Sequence, residues 1–246
     1  MKQIFYVMIL LTAWSSAISS SPREGHLAKI KEDMLVGTKE EKIKAIQYCG
    51  FSREKSCYYI LVKALKDKDP DIRAETAGAL GMLRILESIA VLEGALKSEK
   101  ELNVKLAIIQ GIGYSGFHVG ASIILPYLQD SEVKLRLVTG RALAKIKAPD
   151  SLSTINNAIE TEKDDLVRVT CIYASLGINV NHPENIVRLS EYFFDDSVSV
   201  RYQAARAAQD LKIKELLARL ATAIEIEELP WLKNEFRLAY KLTSND

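Results

Sequence analysis

The sequence predicts an all-α fold, a right-handed α-solenoid of about seven short helix–turn–helix repeats. Three observations carry that reading. An aliphatic residue followed by Arg or Lys recurs at intervals of 29 to 33 residues along most of the chain. Each such pair leads into small residues and then Leu-Gly or its equivalent. Only 12 Gly and 6 Pro punctuate 246 residues, which favours helices over many short strands.

The copies run in order. Ile43-Lys44 leads weakly to Tyr48 and Gly50, and Ile72-Arg73 leads clearly to Ala77, Ala79, Leu80 and Gly81. Val104-Lys105 precedes Ile109, Gly111, Ile112 and Gly113, and Leu135-Arg136 precedes Gly140, Ala142, Leu143 and Ala144. Val167-Arg168 leads, with a one-residue slip, to Ala174, Leu176 and Gly177. Val200-Arg201 leads to Ala205, Ala207 and Ala208, and Leu232-Lys233 to Ala239 and Tyr240. Such a period is the mark of a stacked array, in which each unit buries its apolar face against its neighbours.

Each unit has the same interior. An apolar helix comes first, at 58–65, 89–96, 122–128, 155–159 and 186–193. An acidic turn follows, as in Asp67-Lys68-Asp69-Pro70-Asp71, Gln129-Asp130-Ser131 or Asp195-Asp196-Ser197. Asp and Ser there accept from the free amides that open the second helix, and Pro70 suits its first turn. Leu-Gly is expected to close that helix, with Gly left-handed. The Ala and Gly run lets the next unit approach closely.

At this point the residues resemble a known family. Asp-Lys-Asp-Pro-Asp-Ile-Arg-Ala-Glu-Thr-Ala-Gly-Ala-Leu-Gly at 67–81 resembles a HEAT repeat, in the short form also found in phycobilisome lyase subunits. The resemblance spans 30–242 and is tightest at the units of Ile72, Leu135 and Val200. It implies the fold and says little about function. The Trp-Leu-Gly-Tyr pattern of tetratricopeptide repeats is absent.

The N-terminus reads as a bacterial secretory signal. Met1-Lys2-Gln3 is a short basic start, Ile4 to Trp14 is apolar apart from Thr12, and Ala17-Ile18-Ser19 offers a small-x-small cleavage site. The apolar run is about half of what a spanning helix needs. The expected layout is therefore a signal peptide at 1–19, a linker at 20–29, the solenoid at 30–242 and a tail at 243–246. The mature chain is expected in the periplasm or outside the cell, with no stable membrane insertion. Cys49, Cys57 and Cys171 fit either three buried thiols or a Cys49–Cys57 bridge between adjacent helix ends.

Charge excludes little but points away from nucleic acid. Lys and Arg number 33 against 32 Asp and Glu, so no basic footprint is expected. Arg73, Arg136, Arg168 and Arg201 recur at one helical position, after Asp67, Asp130 and Asp195 in the turn. Recurrence in so many units predicts a structural role, each guanidinium bonding a carboxylate and turn carbonyls, rather than an anion-binding ladder. Gly111-x-Gly113-x-x-Gly116 spells a dinucleotide fingerprint, but it should end a helix where that motif must begin one. His26, His118 and His182 lie far apart, and no Cys or His pair has metal-ligand spacing, so no metal, cofactor or catalytic residue is expected.

Two function classes remain. The first is a non-enzymatic scaffold whose second helices line a concave face and bind a protein or peptide of the cell envelope. Positions two and six after the aliphatic residue should point outward there, giving Gln110, Arg141, Tyr173, Tyr202 and Arg206. Tyr and Arg are over-represented among residues that hold binding energy. The second, implied by the resemblance, is a lyase-like or ligand-handling subunit.

Overall fold

The computed structural model describes residues 22–245, so the expected signal peptide lies outside the described residues. Fourteen α-helices and no strand occur among them. They are α1 Pro22–Val36, α2 Lys39–Phe51, α3 Tyr58–Ala64, α4 Pro70–Met82, α5 Glu87–Ser98, α6 Leu102–Ser115 and α7 Val119–Ile124. Then come α8 Val133–Ile146, α9 Leu152–Thr161, α10 Asp165–Ile178, α11 Pro183–Glu191, α12 Val198–Leu211, α13 Leu217–Ile226 and α14 Pro230–Ser244. Odd and even helices alternate as seven helical hairpins. Residues 22–29, expected as a linker, are instead the first turns of α1, and α14 runs past residue 242 to Ser244.

The aliphatic positions of the repeat all fall on even helices and form the core. Ile72, Val104, Leu135, Val167, Val200 and Leu232 are each no more than 4% exposed. Ile43, on the end unit where a neighbour is missing on one side, is only partly buried. Turn chemistry opens the even helices as expected. The side chains of Asp69 and Asp164 accept backbone amides at the starts of α4 and α10, Glu132 does the same at α8, and Pro70 sits in the first turn of α4. Thr38 and Glu41 close a reciprocal capping box on α2.

Consecutive even helices pack on one another far more closely than consecutive odd ones do. Small residues make this possible. A side chain at Gly81 would run into the backbone of Gly111, and one at Gly111 into the carbonyl of Ala77. A Cβ at Gly113 would stand 2.7 Å from that of Ala142. This corrects the expected role of Leu-Gly. Gly81, Gly113 and Gly177 all lie inside their helices; Gly81 and Gly113 serve close approach, while Gly177 meets only the Lys147 side chain at ordinary contact distance. The left-handed residues come a few positions later, at Arg53, Arg84, Gly116, Lys147 and Lys212, with φ between 51° and 70°. Four of the five are cations, which suit the negative end of a helix dipole. Arg84 also reaches the next unit, donating from Nε to the carbonyl of Ser115 at 3.2 Å.

A disulfide joins Cys49, in the last turn of α2, to Cys57 at the start of the next hairpin, with Cα atoms 6.1 Å apart. Cys171 is a free, buried thiol.

Candidate interaction face

The recurring arginines are fully engaged inside the fold. Arg73 grips Glu99 with Nε and Nη2 at 2.8 and 3.0 Å, and its Nη1 donates to the carbonyls of Asp67 and Lys68. Arg136 repeats this on Glu162 at 2.8 and 3.0 Å, and Arg201 on Glu227 at 2.8 and 3.3 Å. Each glutamate lies 26 residues beyond its arginine. It also accepts a backbone amide just beyond it, from Lys100, Lys163 or Leu229. The carboxylate expected for each guanidinium thus comes from the adjacent unit, at the end of the following odd helix, and the turn supplies carbonyls. Asp67, Asp130 and Asp195 contribute their carbonyls, while their side chains cap local amides at Asp69, Glu132 and Ser197.

Arg168 departs from the pattern for a visible reason. Phe194 occupies the position 26 residues on, so there is no glutamate to grip. The guanidinium turns to the carbonyl of Glu162, the carboxylate of Asp165 and the hydroxyl of Tyr192 instead. With every fork engaged by carboxylates, carbonyls or a hydroxyl of the protein, the ladder is part of the fold.

The electrostatics follow this geometry. The Arg73 fork, with the amides of Glu101 and Lys100, holds Glu99 down at about 2. Burial pushes Glu162 and Glu227 up, but Arg136 and Arg201 with nearby amides outweigh it, and both sit below the usual carboxylate range.

The five residues expected on the partner face all lie on the open side of even helices, in different states of freedom. Gln110, Arg141 and Arg206 are exposed. Gln110 donates to the hydroxyl of Tyr114 at 2.8 Å, and Lys145 lies over the Tyr114 ring, 5.4 Å from its centre. Tyr202 stacks obliquely against Trp231, ring centres 5.8 Å apart. Tyr173 is half-buried and donates to Asp210 at 2.7 Å, so it ties α10 to α12. Burial and the Asp210 carboxylate raise its ionisation well above that of a free phenol. Sequence reasoning missed Tyr114 and Lys145, one turn beyond Gln110 and Arg141, and Trp231, which meets Tyr202 from the next even helix.

Gly111 and Gly113 are inside α6 and Gly116 ends it, so the fingerprint glycines stand at the helix end that repels phosphate. Burial pushes the Cys171 thiol up to about 12, which leaves it an inert core side chain. Among the described residues no group of three His, Cys, Asp or Glu is placed to hold a metal. A groove of 780 Å³ lies on the opposite side between α3 and α5. Val62, Leu65, Val91 and Ala95 line it, and the open space before Gly94 widens it. Smaller grooves repeat above Arg136–Glu162 and Arg201–Glu227.

This geometry is that of a HEAT-like repeat solenoid. Residues 37–113 match the family of HEAT repeats. No curated protein matches the chain. Among solved structures, the complex of CpcE and CpcF of phycocyanin lyase from Nostoc is similar at a TM-score of 0.64 and 15% identity, over 88% of this chain and 94% of that one. The Escherichia coli protein YibA is similar at 0.52 and 15% identity, over 93% and 98%. An archaeal HEAT-like repeats protein from Thermococcus onnurineus follows at 0.50 and 14%, over 89% and 97%. At these identities the likeness is one of fold.

Proposed function

We propose that this chain is an exported, non-enzymatic scaffold that binds a protein or peptide of the cell envelope on its even-helix face. The closer spacing of the even helices bends the stack toward that side and makes it the concave one. One contrast carries the reading. The recurring arginines are used up internally, whereas Gln110, Arg141, Tyr202 and Arg206 stand exposed beside Tyr114 and Trp231. Rigid aromatic area next to guanidinium is what protein partners exploit. Export is supported by the N-terminal signal and by the Cys49–Cys57 disulfide, which suits an oxidising compartment.

Capture of partners from an envelope fraction tests this. Tyr202→Ala with Arg206→Glu should lose them, while Lys97→Glu, on the odd-helix side, should keep them. Tyr173 is left intact because it braces α10 against α12. The opposite result would move the site to the odd side. There the groove between α3 and α5 supports a second reading, a ligand-handling subunit like those of phycocyanin lyase. Absorbance of the protein purified from its host separates that reading from the first.

A further inference from the structure

The exposed stripe of α8 carries charge of one sign. Lys134, Arg141 and Lys145 are spaced i, i+7 and i+11, so they share one side of the helix, and all three are exposed. The facing stripe of α6 is Asn103, Leu106, Gln110 and Tyr114, and that of α10 is Leu166, Tyr173 and Gly177. Neither stripe holds a carboxylate. The acids at the margin are already engaged, Asp165 by Arg168 and Asp210 by Tyr173. Arg141 has no hydrogen-bond or ion-pair partner among the described residues, and Arg206 adds a further exposed cation on α12. A formal charge of only +1 on the whole chain conceals this segregation.

We infer that the even-helix face takes an acidic peptide segment, with carboxylates on Arg141 and Lys145 and apolar side chains on Leu106, Leu137 and Leu166. The inference rests on the scaffold reading above and names the chemistry of its partner. Charge complementarity argues for the acids, since cations without local counter-charge favour a ligand that brings its own. Half-buried aliphatic side chains between the cations argue for a peptide over a nucleic acid, whose binding draws on a long run of phosphate contacts.

Fluorescence anisotropy on the purified chain tests it with three labelled peptides, alternating Leu with Glu, Gln or Lys, and a thymidine oligonucleotide. The Glu peptide should bind tightest, weaken with added salt, and lose about tenfold or more in affinity in Arg141→Glu with Lys145→Glu. Lys97→Glu should leave its affinity unchanged. Equal binding of the Glu and Gln peptides, both lost in Tyr202→Ala with Arg206→Glu, would overturn the acidic preference and leave the scaffold reading standing. Tighter binding of the oligonucleotide would also overturn it, in favour of a phosphate polymer. No binding of any peptide, together with no captured envelope partner, would remove both.

Discussion

Arg136 and Glu162 meet through two parallel hydrogen bonds, and the carboxylate end of the pair is 5% exposed. The pair links the second helix of one hairpin to the first helix of the next. Removing the arginine leaves a buried carboxylate without its partner and frees two turn carbonyls. Arg136→Ala should therefore cost about 2–4 kcal/mol. The exposed Lys134→Ala should cost under about 0.5 kcal/mol. Arg168→Ala should fall between them, because Asp165 is half-exposed and can return to water. Urea titrations of the three variants rank them, and equal midpoints for Arg136→Ala and Lys134→Ala would refute the assignment.

Acid should loosen the array through the same glutamates. Glu99, Glu162 and Glu227 all ionise below the usual carboxylate range in the folded state. The unfolded chain therefore takes up protons first as pH falls. The stability these groups supply is complete above the ordinary carboxylate value. It drains away as pH drops toward their folded values, about 2 for Glu99. Urea midpoints followed through the acid range should decline, and Glu99→Gln should make the decline shallower. A variant with the same slope as the parent would mean Glu99 contributes nothing to it.

Backbone handedness gives a signed pair of substitutions. Lys147 holds φ at 54° with a side chain that disfavours it, so Lys147→Gly should raise stability by about 0.5–1 kcal/mol. Gly116 holds φ at 70°, and Gly116→Ala should lower stability by about 1 kcal/mol. Thermal melts of the two should move in opposite directions.

Inside the helices the glycines obey a different constraint. Gly81 and Gly111 have normal helical backbone, so alanine suits their conformation, yet each would drive a methyl into the neighbouring helix backbone. Gly111→Ala should destabilise by about 1–3 kcal/mol through overpacking. Gly78→Ala, with open space before it, should be neutral or slightly stabilising. Melting temperatures that shift alike would show that packing is not the cause.

Reduction should weaken the N-terminal end. The Cys49–Cys57 bridge closes a short loop, worth about 2–3 kcal/mol by chain-entropy reasoning. Dithiothreitol should speed proteolysis around residues 50–60 and leave the C-terminal hairpins protected. Thiol labelling of the protein taken from its host should find both cysteines blocked before reduction.

The periodic part of this architecture was open to reading and the paired part was not. Spacing of the aliphatic-basic pairs located every even helix, because one core-facing residue per unit repeats, buried in every unit but that of Ile43. Recurrence of Arg73, Arg136 and Arg201 revealed a structural role. Their partners stayed hidden because Glu99, Glu162 and Glu227 recur only in alternate units, with Ser131 and Phe194 between them. A search for a fixed separation would have found them. Leu-Gly was misread because glycine serves two ends, conformation and contact, and only the neighbouring helix shows which one applies. The cation after the motif, Arg84 or Lys147, was the better sign of a helix end. On the even-helix face, exposure followed the repeat register at Gln110, Arg141, Tyr202 and Arg206, but the Tyr173–Asp210 bond depends on two helices at once.

Fastening at alternate boundaries gives the stack unequal joints. The hairpins of Arg73, Arg136 and Arg201 are each bolted to the one that follows. Between the third and fourth hairpins, Lys105 stands where the guanidinium would be and Ser131 where the glutamate would be. Contact there includes Gly113 against Ala142 and Lys145 over Tyr114, within one of the closest helix pairings of the stack. Helix packing takes the place of the ion pair at this boundary.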